Sequence, residues 1–71
     1  MNLRELLKSK RWNGSTLARE LNTSSSVVNY WLNGKTEPNA EYIKQIAELC
    51  EVESSVVVDA ILETKKQAKV G

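Results

Sequence analysis

Leu3, Leu6 and Leu7 stand at i, i+3 and i+4, the spacing of one helical face, and Asn2 with Glu5 has the form of a capping box. The pattern predicts a first helix over residues 3–10. The turn signal Asn13-Gly14 in "WNGS" breaks it. Asn13 can also cap a second helix over 14–21, whose inward residues are Leu17, Ala18 and Leu21. Asn22 suits the left-handed residue that ends such a helix. The next stretch, "NTSSSVVNYWLNGK", is poor in helix formers, yet Ser24 can cap it and Gly34 can stop it. Winding Ser25 to Asn33 at about 100° per residue sets Val27, Val28, Trp31 and Leu32 on one side. Ser25, Ser26, Asn29, Tyr30 and Asn33 fall on the other. Packing of the apolar side supplies the stability that propensity lacks.

Beyond Gly34, Pro38 cannot continue a helix and Asn39 is a fair N-cap. Tyr42, Ile43, Ile46, Ala47, Leu49 and Cys50 then give a broad apolar face to a fourth helix over 40–50. Ser54 or Ser55 can cap a fifth, running to about Lys66, with Val57/Ile61 and Val58/Leu62 as i, i+4 pairs. The β-branched run "SVVVDAIL" leaves a strand as the alternative there. The fold class expected is all-α: one compact five-helix domain over residues 1–66, with 67–71 a frayed tail. Val57, Val58, Ile61 and Leu62 offer more apolar surface than so small a core obviously absorbs. They either complete that core or form part of a dimer interface.

Composition narrows the chemistry. A chain of 71 residues is near the lower size limit for a single apolar core. No apolar run reaches membrane-span length and none at the start resembles a signal peptide, so a cytoplasmic protein is expected. Cys50 stands alone, which excludes an internal disulfide and fits a buried small hydrophobe. With no histidine and one cysteine, no metal site is expected. The three glycines are too dispersed for a phosphate loop. Only lysine could activate a serine. No enzyme, no cofactor and no small-molecule ligand are expected.

The net charge of +1 conceals a division. Residues 1–36 hold six basic side chains against two acidic ones, residues 37–64 hold one against seven, and the tail adds three lysines. A basic half joined to an acidic half is what a polyanion-binding surface with its back to solvent would carry. A solvated helix face ordinarily bears Glu and Lys. The outward side of residues 25–33 has none, only short hydrogen-bonding groups of the kind that can read the edges of a closely apposed surface.

Two short helices joined by a tight turn, the second polar on one face, describe a helix-turn-helix. "TLARELNTSSSVVNYWLNGK", then Pro38 and "IKQIAELCEV", resembles the lambda-repressor/Cro-like helix-turn-helix family over roughly residues 13–53. The matching positions are Ala18, Asn22, Ser24, Val28, Trp31, Gly34, Pro38 and Ile46-Ala47. The chain departs from the family pattern at Asn22, usually glycine; at Gly14, often a phosphate-contacting glutamine; and at Thr23, commonly aliphatic.

The resemblance implies five helices, double-stranded DNA as partner, the third helix in the major groove, and a homodimeric repressor of transcription. It assigns base reading to Ser25, Ser26, Asn29 and Tyr30, with Val27 near enough to touch a thymine methyl. Asn29 has the chemistry to pair bidentately with adenine. Phosphate contacts are expected from the N–H groups of Gly14, Ser15 and Thr16, and from Asn33, Lys35, Arg11 and Lys10. For the three cations the alternative is ordinary surface charge. Trp31 is expected in the core, and Trp12 packed under the first helix. A small Cro-like repressor of phage or prophage type on a palindromic operator is the reading these residues favour. The alternative is a protein-interaction or antitoxin-like module on the same fold.

Overall fold

The computed structural model describes residues 1–68 and contains five helices: α1 (Leu3–Ser9), α2 (Gly14–Glu20), α3 (Ser25–Leu32), α4 (Ala40–Cys50) and α5 (Ser54–Ala68). No strand occurs among the described residues, so the β-branched run 55–62 is helical. The molecule measures 31 × 24 × 22 Å. α2 packs on α3, while α5 lies against both α1 and α4 and closes the core from behind.

Side chains start the first four helices. Asn2 accepts from the N–H of Glu5 at 2.8 Å while its own N–H donates to the Glu5 carboxylate at 2.9 Å. Asn13 and Thr16 repeat this reciprocal arrangement at α2. Ser24 and Asn39 accept from Val27 N–H and Tyr42 N–H. α5 departs from expectation, because it begins at Ser54 and so places Ser54 and Ser55 inside its first turn instead of at the cap.

The same four helices end alike. Arg11, Asn22, Gly34 and Glu51 each have positive φ, at 63°, 57°, 76° and 57°. In each case the following N–H reaches back across the turn: Trp12 to Leu7, Thr23 to Ala18, Lys35 to Tyr30 and Val52 to Ala47, at 2.8–3.0 Å. This 6→1 closure satisfies carbonyls that a helix end would orphan. The pattern legible at Asn22 and Gly34 thus recurs at Arg11 and Glu51, where no residue type announces it. It also corrects the first turn. The chain reverses at Arg11, whereas Asn13 is an extended cap and Gly14 the first residue of α2.

The core gathers Leu3, Leu6 and Leu7 of α1, Leu17 and Ala18 of α2, Val28, Trp31 and Leu32 of α3, Ile46, Ala47 and Cys50 of α4, and Val57, Ala60 and Ile61 of α5, with Leu21. Trp31 is an anchor, its ring 5.2 Å from that of Tyr42. Burial pushes the Cys50 thiol pKa up, with the Lys10 ammonium drawing it partly back. A buried polar group ties the two ends of the fold together. Thr64 Oγ1 accepts from Leu3 N–H at 2.8 Å, serving an otherwise orphaned donor of α1, and donates to the Ala60 carbonyl at 2.9 Å. Asn2 Nδ2 donates to Gln67 Oε1 at 2.6 Å. Gln67 and Ala68, expected in a frayed tail, are therefore helical; the remainder of that tail lies outside the described residues.

Candidate nucleic-acid interface

α3 stands on the body of the protein with the orientation its pattern requires. Val28 is fully buried, Trp31 and Leu32 are buried beside it, and Ser25, Ser26, Asn29 and Tyr30 are exposed. Val27 is half-buried and packs against the core edge, so only part of its side chain faces outward. No described segment covers the outward face.

α2 crosses behind α3 at very short range, and Gly14 makes that possible. A β-carbon at Gly14 would lie 3.3 Å from Asn29 Oδ1 and 3.8 Å from both Leu32 Cδ1 and Val28 Cγ1. Its φ is not left-handed, so the requirement for glycine here is close approach. The Asn29 carboxamide thus sits directly against the start of α2. Of the three N–H groups expected to meet a phosphate there, that of Thr16 is already occupied, donating to Asn13 Oδ1 at 2.9 Å. Thr16 is therefore a capping residue. Gly14 and Ser15 retain the expected position at the start of the helix.

The far end of α3 holds two further expected contacts. Lys35 places its ammonium 5.8 Å from the centre of the Tyr30 ring, a distance at which a cation is attracted to the aromatic face. Asn33 caps α3, and its Oδ1 accepts from Arg4 Nη2 at 3.3 Å. That pairing sets α1 alongside α3, which neither periodicity nor the α3 motif indicates, since in the sequence Arg4 is one of the six basic side chains of residues 1–36. An open depression of about 350 Å³ lies here, bordered by Arg4, Lys8 and Gly14 over a floor of Leu7, Trp12 and Leu32. Lys10 and Arg11 are exposed and take no part in lining it.

The family model described as helix-turn-helix matches residues 3–57, which span α1 to the first turn of α5. The chain belongs to the lambda-repressor/Cro-like, XRE-type helix-turn-helix family. No curated protein and no solved structure matches the chain. An XRE-type helix-turn-helix protein is a DNA-binding regulator of transcription, with α2 and α3 as its motif. Among the described residues no helix is long and apolar enough to cross a membrane. Of the four residues expected at a dimer interface, Val57 is 0% exposed and Ile61 5%, so both belong to the helix-turn-helix core. Val58 and Leu62 remain outside at 39% and 54%.

Proposed function

We propose that this protein is a small Cro-like repressor that binds a palindromic operator as a homodimer, of phage or prophage type, acting in the cytoplasm of a bacterial host. The observation that carries the reading is the outward face of α3, exposed and free of charged side chains from Ser25 to Asn33, beside cations supplied by α1 and the loop after α3. Major-groove edges demand short donors and acceptors at close range. In this reading Asn29 pairs with adenine, Ser25 and Ser26 make shorter contacts, and Tyr30 reaches a base or the adjoining phosphate. Val27 offers its exposed part to a thymine methyl. Gly14 and Ser15 donate backbone N–H groups to one phosphate, and Asn33 and Lys35 hold the strand at the other end of α3.

Dimerisation would use Val58 and Leu62, which share one exposed stripe of α5. A protomer 22–31 Å across is of a size to set two copies of α3 in major grooves about one turn, roughly 34 Å, apart. Binding-site selection from a random duplex pool tests the reading. Enrichment of a palindrome with half-sites about one turn apart is expected, and Asn29→Ala should relax preference at one base pair per half-site by about 1–3 kcal/mol. No enrichment at all would discard sequence-specific binding and leave a protein partner as the role of the fold.

A further inference from the structure

We propose that Arg4 and Lys8 of α1 grip the DNA backbone, the depression between them and α3 seating one deoxyribose-phosphate unit. This rests on the DNA-binding reading and adds the first helix to the interface.

Arg4 has an unfavourable place in the helix of the free protein. Arg4 lies in the first turn of α1, the end of a helix that disfavours positive charge. Lys8, in the last turn, suits the negative end of the helix but follows Arg4 at i+4, where like charges repel. Neither is in an ion pair among the described residues, where the one pair formed is Lys65–Glu37 at 3.2 Å. The nearest carboxylate in sequence, Glu5, is committed to the Asn2 capping box. Two like charges are thus held one helical turn apart with no anion paired to either among the described residues.

Their placement is specific. Asn33 engages one of the five donors of the Arg4 guanidinium, which positions the group at the end of α3 and leaves the others for a planar, bidentate partner such as phosphate. The floor between the cations is apolar: Leu7, Leu32 and the half-buried Trp12. A phosphate alone has no use for such a floor, whereas the carbon face of a deoxyribose next to that phosphate does. Gly14 borders the same depression and touches the Asn29 carboxamide, so a strand seated here is continuous with the outward face of α3. Cationic rim, apolar floor and adjacency to α3 all match a nucleic-acid strand.

The test measures affinity of the full chain for random-sequence duplex DNA by fluorescence anisotropy across a salt series. It compares the unaltered protein with Arg4→Gln, Lys8→Gln, the double change, and Lys44→Gln on the acidic side as control. The double change should flatten the log–log salt slope by about one, the loss of one neutralised phosphate, and weaken binding about tenfold at physiological salt. Lys44→Gln should do neither. DNA should also shield Trp12 from acrylamide, an effect absent in Trp12→Phe. An unchanged slope in the double variant, with Trp12 equally accessible in the complex, would remove α1 from the interface while salt-dependent binding by the unaltered protein kept the DNA reading intact. Absence of salt-dependent binding by the unaltered protein would overturn both.

Discussion

Gly34 bears two independent demands, and replacing it by alanine separates them. Its φ of +76° puts any side chain in the left-handed region, where a β-carbon costs about 1–2 kcal/mol. The added β-carbon would also lie 2.7 Å from Ala68 Cβ, inside any real contact distance, and 3.3 Å from the Thr64 carbonyl oxygen. Relief requires the last turn of α5 to move away, straining the Lys65–Glu37 pair and the Asn2–Gln67 hydrogen bond. Overpacking of that kind adds about 1–2 kcal/mol. The sum, about 2–4 kcal/mol, is a large share of the roughly 4–10 kcal/mol that a domain of this length holds. Thermal unfolding followed by far-UV circular dichroism should show Gly34→Ala melting roughly 10–20 °C lower. The double-mutant cycle with Ala68→Gly isolates the contact. In that background the Gly34→Ala penalty should shrink to the backbone cost of about 1–2 kcal/mol. A penalty of equal size in both backgrounds would refute the packing half of the argument, and a melting point within about 3 °C of the parent would refute both halves.

Thr64→Val preserves shape while deleting the hydroxyl that serves Leu3 N–H, so it should cost about 1–3 kcal/mol, and Thr64→Ser should restore most of it; equal melting points for the valine and serine variants would reject the hydrogen bond as the cause. Glu51→Gly acts in the opposite direction. Releasing a non-glycine residue from φ 57° should stabilise by about 1 kcal/mol and raise the melting temperature roughly 4–8 °C with DNA affinity unchanged, so a fall in melting temperature would contradict the strain assigned to that turn.

The helices were legible because their caps and inward faces are local properties. Asn2, Asn13, Ser24 and Asn39 each mark a start, and the 3.6-residue period sorted Val28 and Trp31 from Ser26 and Asn29. The family was legible for the same reason, since its pattern is a series of local requirements ending in Gly34 and Pro38. What escaped is non-local. Thr64 reads as an ordinary polar residue of a helix, and only the docking of α5 on α1 turns it into a cap for Leu3. Arg4 reads as diffuse charge until α1 and α3 are side by side. Val57 and Ile61 could not be separated from Val58 and Leu62 by spacing alone, because adjacent i, i+4 pairs differ by a rotation that depends on where α1 and α4 lie. Left-handed turns at Arg11 and Glu51 were hidden because neither residue favours that conformation, and the 6→1 bonds compensate for the strain.

The charge division explains how a protein of net charge +1 can approach a polyanion at all. The acidic side chains of residues 37–64 are carried mainly by α4 and α5, whereas Arg4, Lys8 and Lys35 stand around α3. The Debye length at physiological salt is about 8 Å, well short of the 22–31 Å extent of the domain. A strand at α3 therefore feels the nearby cations, and the carboxylates behind are largely screened. One carboxylate that does reach the loop after α3, Glu37, is held by Lys65. As salt is lowered the screening length grows toward the size of the domain, and repulsion from the acidic side enters the balance. The same repulsion opposes an approach led by α4 and the turn after it, which hold Glu41, Glu48, Glu51 and Glu53 against Lys44 alone, so the division orients the encounter as well as permitting it. A uniformly basic protein would bind DNA through any face; one with an acidic back presents α3.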